Sequence, residues 1–192
     1  MKETVYVAVV RFTALAHKLR DQIRTATLNV NIQEERLSAV TRVQQQDQMT
    51  GLQNRIGLEM VFRSWWREDP ERHRLVSAAL INLDRFGELN FRLSTSVGDR
   101  VLRAVANYVQ QLVTGERGLE RVFRRGSDEL FVFFGDSGPR TAAGQIEKVR
   151  QTIQKTHLDY GGVQYSLTIR AGVTDVRADD DLASLMERLQ EV

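Results

Sequence analysis

The chain has 192 residues, 42% of them hydrophobic and 27% charged, with a formal net charge of +2. This is an ordinary soluble profile with room for one full core plus an extension, and its scattered arginines leave no footprint for nucleic acid or an anionic membrane. Cysteine is absent, which excludes disulfides and thiolate metal sites and fits a cytoplasmic compartment, while His17, His73 and His157 are too dispersed to read as a zinc cluster.

The N-terminal run TVYVAVVRFTALA is apolar, but Arg11 interrupts it. It is too short to span a bilayer and lacks the basic start and cleavage site of a signal peptide. From Val9 an apolar seam follows through Phe12, Ala16, Leu19, Ile23, Ala26 and Val30, then Leu37 and Val40. Its steps alternate three and four until Gln33 interrupts, and neither Pro nor Gly appears before Gly51. That spacing predicts one long helix, with a seam on the order of 48 Å at about 1.5 Å per residue. So narrow a stripe on so long a helix cannot bury itself. A parallel coiled-coil homodimer through residues 1–46 is therefore expected, the alternative being a helix folded back on its own domain.

After Gln44-Gln45-Gln46 the pattern breaks at Thr50-Gly51, and a second domain is expected over residues 47–192. A helix should run through Trp66, with Ile56, Leu58, Met60, Val61 and Phe62 as its apolar contacts and Pro70 beyond its end. RLVSAALINLD predicts a buried strand from Leu75 to Asp84. VGDRVLRAVANYVQQLV predicts an amphipathic helix with Val97, Val101, Val105, Tyr108 and Leu112 along one side. Two strands around Gly126 follow, then a helix opened by Pro139 and running to Ile153. GVQYSLTIRAGV alternates Val163, Tyr165, Leu167 and Ile169 as a strand, and Leu182 to Leu189 closes the chain as a short helix. Asp179-Asp180-Asp181 should cap that helix, and Trp65-Trp66 should place one ring against the core. The order predicts an α/β fold: a mixed central sheet with helices on its faces, preceded by the long helix.

The segment RRGSDELFVFF carries the chemistry. Leu130-Phe131-Val132-Phe133-Phe134 needs burial on both faces, so it reads as an interior strand. Paired with the run Leu119 to Phe123, it forms a hairpin with a four-residue turn and Asp128 and Glu129 at its tip. Gly, Ser and Asp also form turns with no further role. Asn82-Leu83-Asp84 ends the neighbouring buried strand, and Gly98-Asp99 opens a helix. Carboxylates at adjacent strand ends can hold Mg²⁺ or Mn²⁺ on a nucleotide's phosphates, which is the chemistry of phosphoryl transfer.

These pieces resemble the GGDEF domain of bacterial diguanylate cyclases from about Gln46 onward. DQMTGLQNRIGLE resembles the entry motif D-x-L-T-G-L-x-N-R. INLDRFGELNFRLSTSVGDRVL resembles D-I-D-x-F-K-x-I-N-D-x-x-G-H-x-x-G-D-x-V-L at unchanged spacing. RRGSDELF resembles R-x-G-G-D-E-F, and LTIRAGV resembles V-T-x-S-I-G-V. The resemblance implies a nucleotidyl-cyclase-like fold and a family that joins two GTP molecules into cyclic di-GMP between two facing domains. It also implies that Asp128 and Glu129 are the catalytic and metal-binding acids, with Asn82 at the remaining metal position. Gly126 and Ser127 fall at the triphosphate, and Asn90 and Asp99 on the guanine-reading positions.

The departures from the motifs are concentrated at the chemistry. Asn82 stands where the family's first metal-binding Asp is, and Gly87 replaces a phosphate-contacting Lys. Phe91, Ser94-Thr95 and Ser127 replace an Asp, a Gly-His pair and the hairpin's second glycine, and Leu130 replaces Phe. A closing phosphate-binding Lys of the family falls beyond Val192. Losing a metal ligand and two lysines from such a site costs on the order of a thousand-fold in rate or more. The expectation is a degenerate GGDEF domain, a dimeric signalling module acting through an unidentified protein partner. An active cyclase is the alternative. RGLE, Arg117 to Glu120, sits at the spacing of the family's R-x-x-D product site, so a cyclic di-GMP receptor role through Arg117 and Glu120 is a third reading; an ordinary exposed Arg-Glu pair is the plainer one.

Overall fold

The structure, a computed structural model, describes residues 2–66, 75–113 and 121–191. The chain divides into two compact units, Met1–Gln44 and Gln45–Val192. The first is formed by helix α1 (Lys2–Gln45), whose 44 residues span about 66 Å at ~1.5 Å per residue. It continues unbroken past Gln33. Leu19, Ile23, Val30, Leu37 and Val40 of the heptad seam are all more than half exposed. Among the described residues, no helix is long and apolar enough to cross a membrane.

The second unit is organised around strand β3 (Glu129–Phe134), with β1 (Ser77–Leu83), β2 (Arg121–Arg124) and β6 (Ile169–Asp175) completing a sheet of order β2-β3-β1-β6. Every pairing between these strands is antiparallel, which corrects the mixed sheet expected from the element order. Among the described residues, the parallel contribution is one isolated bridge from Gln53 to Phe123 at the β2 edge. The element order misled because crossover helices usually join parallel strands, whereas here β1 is followed by two helices before the hairpin β2–β3.

Alternation along β3 explains its composition. Leu130, Val132 and Phe134 face one side, where they pack with α3 (Phe86–Leu93), α4 (Thr95–Val113) and α5 (Pro139–Lys155). Phe131 and Phe133 face the other, against α2 (Arg55–Val61), the π-helical turn Phe62–Trp66 and α6 (Leu182–Glu191). All five residues are at most 1% exposed. On the second face Phe123, Phe131 and Phe133 meet edge to face, with centroids 4.7 to 6.3 Å apart, and Phe62 stacks on Phe133. At about 1.5–3 kcal/mol per buried large apolar side chain, β3 is the strand the domain can least lose.

Several local expectations shift. Helix α4 buries Val97, Val101, Val105 and Val109, with Leu102 and Ala106 beside them, while Leu112 is 41% exposed. In α2, Leu58 is buried but Ile56 and Met60 are about half exposed. The single strand expected over Val163 to Ile169 is two elements. Val163–Ser166 (β5) pairs with His157–Tyr160 (β4) as a separate hairpin, and β6 begins at Ile169. Its turn, Gly161-Gly162 with φ of +63° and +79°, is the two-glycine signal for a tight hairpin. Pro70 and the segment beyond the π-helical turn lie outside the described residues, as do Leu119 and Glu120 at the expected start of β2. Asp181 caps α6 through its side chain, which accepts from the Ser184 amide at 2.8 Å.

Two positions fix how the helices meet the sheet. At Gly172 of β6 a Cβ would fall 2.0 Å from the Leu189 carbonyl oxygen, so α6 can seat on the sheet only over a glycine. Ser94, between α3 and α4, has φ of 135° and ψ of 158°, a region natural to glycine and strained for serine. Gly172→Ala is expected to cost about 2–3 kcal/mol by overpacking. Ser94→Gly is expected to gain about 1 kcal/mol by releasing strain. Urea midpoints at unchanged slope would measure both.

Candidate functional site

The end of the sheet that carries Asn82 holds the candidate chemistry. Asn82 of β1 stands directly opposite Glu129 of β3 on one side and Arg170 of β6 on the other. Cross-strand partners point to the same face, so these three form one row on the α2/α6 side of the sheet. Arg170 reaches along it: Nη2 donates to Asn82 Oδ1 at 3.4 Å, and Nε lies 2.7 Å from Asp84 Oδ1. Thr168 donates its hydroxyl to the other Asp84 oxygen at 2.7 Å.

The hairpin turn spans residues 125–128, so Asp128 lies in the turn and Glu129 is the first residue of β3 rather than a tip residue. Glu129 forms an ion pair with Arg125. The Arg125 amide donates to the Glu129 carbonyl at 3.0 Å, closing the turn. Ser127 donates its hydroxyl to Asp128 Oδ1 at 2.6 Å, and the Asp128 carbonyl accepts from the Leu83 amide at 3.1 Å. A Cβ at Gly126 would come 3.1 Å from Glu129 Oε2, so the hairpin's remaining glycine leaves space that the paired carboxylate uses.

Beneath the turn, Arg124 and Asp47 form the anchor. Arg124 Nη1 lies 3.0 and 2.9 Å from the two Asp47 oxygens, Nε donates to the Gly126 carbonyl at 3.1 Å, and Nη2 donates to the Ser127 carbonyl at 3.1 Å. Both side chains are at least four-fifths buried. Asp47 also accepts from the Thr50 amide at 2.8 Å and hydroxyl at 2.7 Å. Burial alone would raise the Asp47 pKa, but the Thr50 hydrogen bonds and Arg124 outweigh it and hold the carboxyl below its ordinary range.

Asn90 and Asp99, expected to read guanine, are brought to the α3–α4 junction. Asn90 Oδ1 is buried without a hydrogen-bond partner and rests on Gly98, where a Cβ would fall 1.7 Å away. Gly98 is thus required by Asn90. Gly87 is exposed, with nothing within 4 Å of where a side chain would begin. Arg117 and Glu120 lie outside the described residues.

Sequence reasoning missed three arginines. Arg124 and Arg125 stood in the quoted hairpin, but what they pair with is set by folding. Arg170 was visible as Arg where the motif V-T-x-S-I-G-V has Ser, a charge introduced beside the metal position.

A divalent metal needs several oxygen ligands free to turn toward it. Glu129 is taken by Arg125 and Asp84 by Arg170, Asn82 supplies only an amide oxygen already near a guanidinium, and Asp128, which accepts from the Ser127 hydroxyl, is left as a single carboxylate outside these ion pairs. Among the described residues no three acidic or imidazole side chains gather as a metal site. This donor set, as arranged, does not fit Mg²⁺ or Mn²⁺, which cyclases of the GGDEF type generally use.

The anchor generates a prediction. Asp47→Ala should cost about 2–3 kcal/mol, because Arg124 is left as a largely buried unpaired charge. The pH dependence follows from the lowered pKa of Asp47. Its contribution is complete above its unfolded value near 3.8 and is lost as pH falls through the lower folded value. Denaturant melts of both proteins between neutral and acid pH should converge at the acid end.

The family described as diguanylate cyclase, GGDEF domain matches residues 44–191. The chain is 27% identical over 173 residues to the diguanylate cyclase VdcA of Vibrio cholerae, an alignment covering 88% of this chain and 49% of VdcA. It is 28% identical over 153 residues to the response regulator PleD of Caulobacter vibrioides, covering 76% of this chain and 32% of PleD. The chain therefore spans about half the length, or less, of these curated relatives. Among solved structures, diguanylate cyclase SiaD of Pseudomonas aeruginosa, crystallised with its activator SiaC, superposes with a TM-score of 0.76 at 20% identity over 99% of this chain and 72% of SiaD. The coiled coil and GGDEF domain of DgcB from Caulobacter crescentus, in complex with c-di-GMP, gives 0.74 at 21% identity over 90% of this chain and 91% of that one. The structural likenesses show the fold, and the family match over residues 44–191 completes the assignment: the chain belongs to the GGDEF domain family.

Proposed function

We propose that this GGDEF domain is a regulatory member of the cyclic di-GMP system, with cyclase activity lost or strongly impaired, acting in the cytoplasm as a dimer through protein contacts. The observation that carries the reading is the row Asn82–Glu129: the family's aspartate is an amide, and the opposing carboxylate is held by Arg125. Phosphoryl transfer between two GTP molecules rests on positioning and charge neutralisation, and both depend on the cation those groups would hold. Asp128 and Glu129 keep the chemistry of metal ligands and catalytic acids, Glu129 weakened by its pairing with Arg125. Asn90, Asp99, Gly126 and Ser127 keep the positions for a nucleotide, so residual binding of GTP is part of the reading. Residues 1–46 serve as the dimerising coil and 47–192 as the degenerate GGDEF domain. The likeness to the DgcB coiled coil and GGDEF domain supports the coil, and the SiaD–SiaC complex is a precedent for a protein partner.

A second reading, an active diguanylate cyclase making cyclic di-GMP from GTP, is favoured by the retained Asp128, Glu129, Asn90 and Asp99 and by the relatives named as cyclases. A third is cyclic di-GMP reception through Arg117 and Glu120, which the DgcB complex with c-di-GMP makes worth testing.

Incubation with GTP and Mg²⁺, then Mn²⁺, followed by chromatography, is expected to yield no cyclic di-GMP from the natural chain. Product from the natural chain would overturn the reading and assign Asp128 and Glu129 as catalytic. Tight cyclic di-GMP binding abolished by Arg117→Ala would instead establish the receptor reading. Light scattering should report a dimer that Ile23→Glu with Leu37→Glu converts to a monomer, since both side chains sit on the exposed seam.

A further inference from the structure

At the end of the sheet where the domain's expected metal position lies, the protein supplies positive charge of its own. Arg170 joins Asp84 and Asn82, and Arg125 joins Glu129, so the row across β3, β1 and β6 is bounded by guanidinium groups at both ends. A divalent cation brought to Asn82 would meet Arg170 within a few ångströms, and like charges that close repel even near a protein surface. The amide of Asn82 offsets none of that repulsion, whereas it suits a guanidinium well, since its oxygen can accept an N–H without carrying charge.

We propose that Arg170 is the resident counter-ion of this site, standing in place of a divalent metal, so that the end of β1 and the hairpin hold their arrangement with no metal bound. The proposal rests on the GGDEF reading only to locate the metal position. The two substitutions form a matched pair: Asn82 removes the anion that a metal needs, and Arg170 places a guanidinium beside it. The Arg170 side chain is 75% exposed, so the pair with Asp84 adds little to stability. Its effect is on what else can approach Asp84 and Asn82. This separates the role from a structural one: Arg170→Ser should leave the melting temperature within roughly a degree or two while changing metal affinity.

The test is Mn²⁺ binding to the full chain without nucleotide, read from the spectrum of free Mn²⁺ by electron paramagnetic resonance. The natural chain is expected to leave that signal unchanged at equimolar protein. Asn82→Asp with Arg170→Ser is expected to bind Mn²⁺ at least about tenfold more tightly than Asn82→Asp alone, because the added change removes a like charge beside the metal. Adding Asp128→Asn and Glu129→Gln to the double variant should abolish the gain, which places the ion at the hairpin. Arg170→Lys in the Asn82→Asp background should keep Mn²⁺ out, since it keeps the charge; this conservative change also serves if the double variant folds poorly. Stoichiometric Mn²⁺ binding by the natural chain, or no added affinity from Arg170→Ser, would overturn the proposal. The readout is independent of the GTP assay. A natural chain that binds Mn²⁺ yet makes no product sinks this inference and leaves the regulatory reading standing, whereas a chain that makes product sinks both, since the cation must then enter with the nucleotide.

Discussion

The contact on which the domain's site depends joins Asp47 to Arg124 across 77 residues of sequence. One guanidinium takes both oxygens of the carboxylate and the carbonyls of Gly126 and Ser127, so the entry segment and the hairpin turn are set by the same group. The carboxylate in turn holds Thr50 through both its amide and hydroxyl, bending the chain before Gly51 (φ +76°), and the Arg124 amide donates to Gln53 at 2.8 Å. Removed from most of the solvent and with four hydrogen bonds from the guanidinium, this pair offsets much of the desolvation loss that makes many buried ion pairs unprofitable. Neither Asp47 nor Arg124 is among the residues proposed to hold the nucleotide or the metal. That explains why the hairpin can keep its shape while the groups around it change character.

How much of this was legible in the sequence depended on the range of the interaction. The interior strand was readable because Leu130 to Phe134 leaves no polar residue to face water, and the structure buries all five. Helix α5 was readable from Pro139, and α6 from the aspartates before it, since both signals are local. Helix α3 was not: eight residues between Arg85 at φ 54° and Ser94 at φ 135° are too few for a periodic pattern. Strands β5 and β6 read as one because apolar alternation runs on through Leu167 to Ile169, and only the pairing partners separate them. Strand direction, likewise, is a property of the whole sheet rather than of any segment in it.

The site divides in the same way. Motif spacing singled out Asn82, Asp128, Glu129, Asn90 and Asp99 as candidates, and folding sets Asn82 beside Glu129 and Asn90 against Gly98. What motif spacing could not give was the state of the acids, because an arginine's partner is chosen by geometry: Arg125 by a turn that brings it back on Glu129, Arg170 by a register that puts it level with Asn82. Charge composition reports only that arginines and acids nearly balance. The fold decides that at this end of the sheet Arg125 and Arg170 are spent on Glu129 and Asp84, which weakens the field those two acids offer an ion from solution.

Ser94 bears on how such a domain changes over time. Its backbone runs where a glycine would run, although the residue is serine, and the neighbours that enforce this are α3 and α4 packed on the sheet. The main chain is thus more conservative than the side chains on it: packing holds a path that local preference would abandon. A lineage carrying this domain can exchange the groups of its site one at a time without rebuilding the scaffold. By the same token, a change of chemistry at that site lies within reach of a few codon changes.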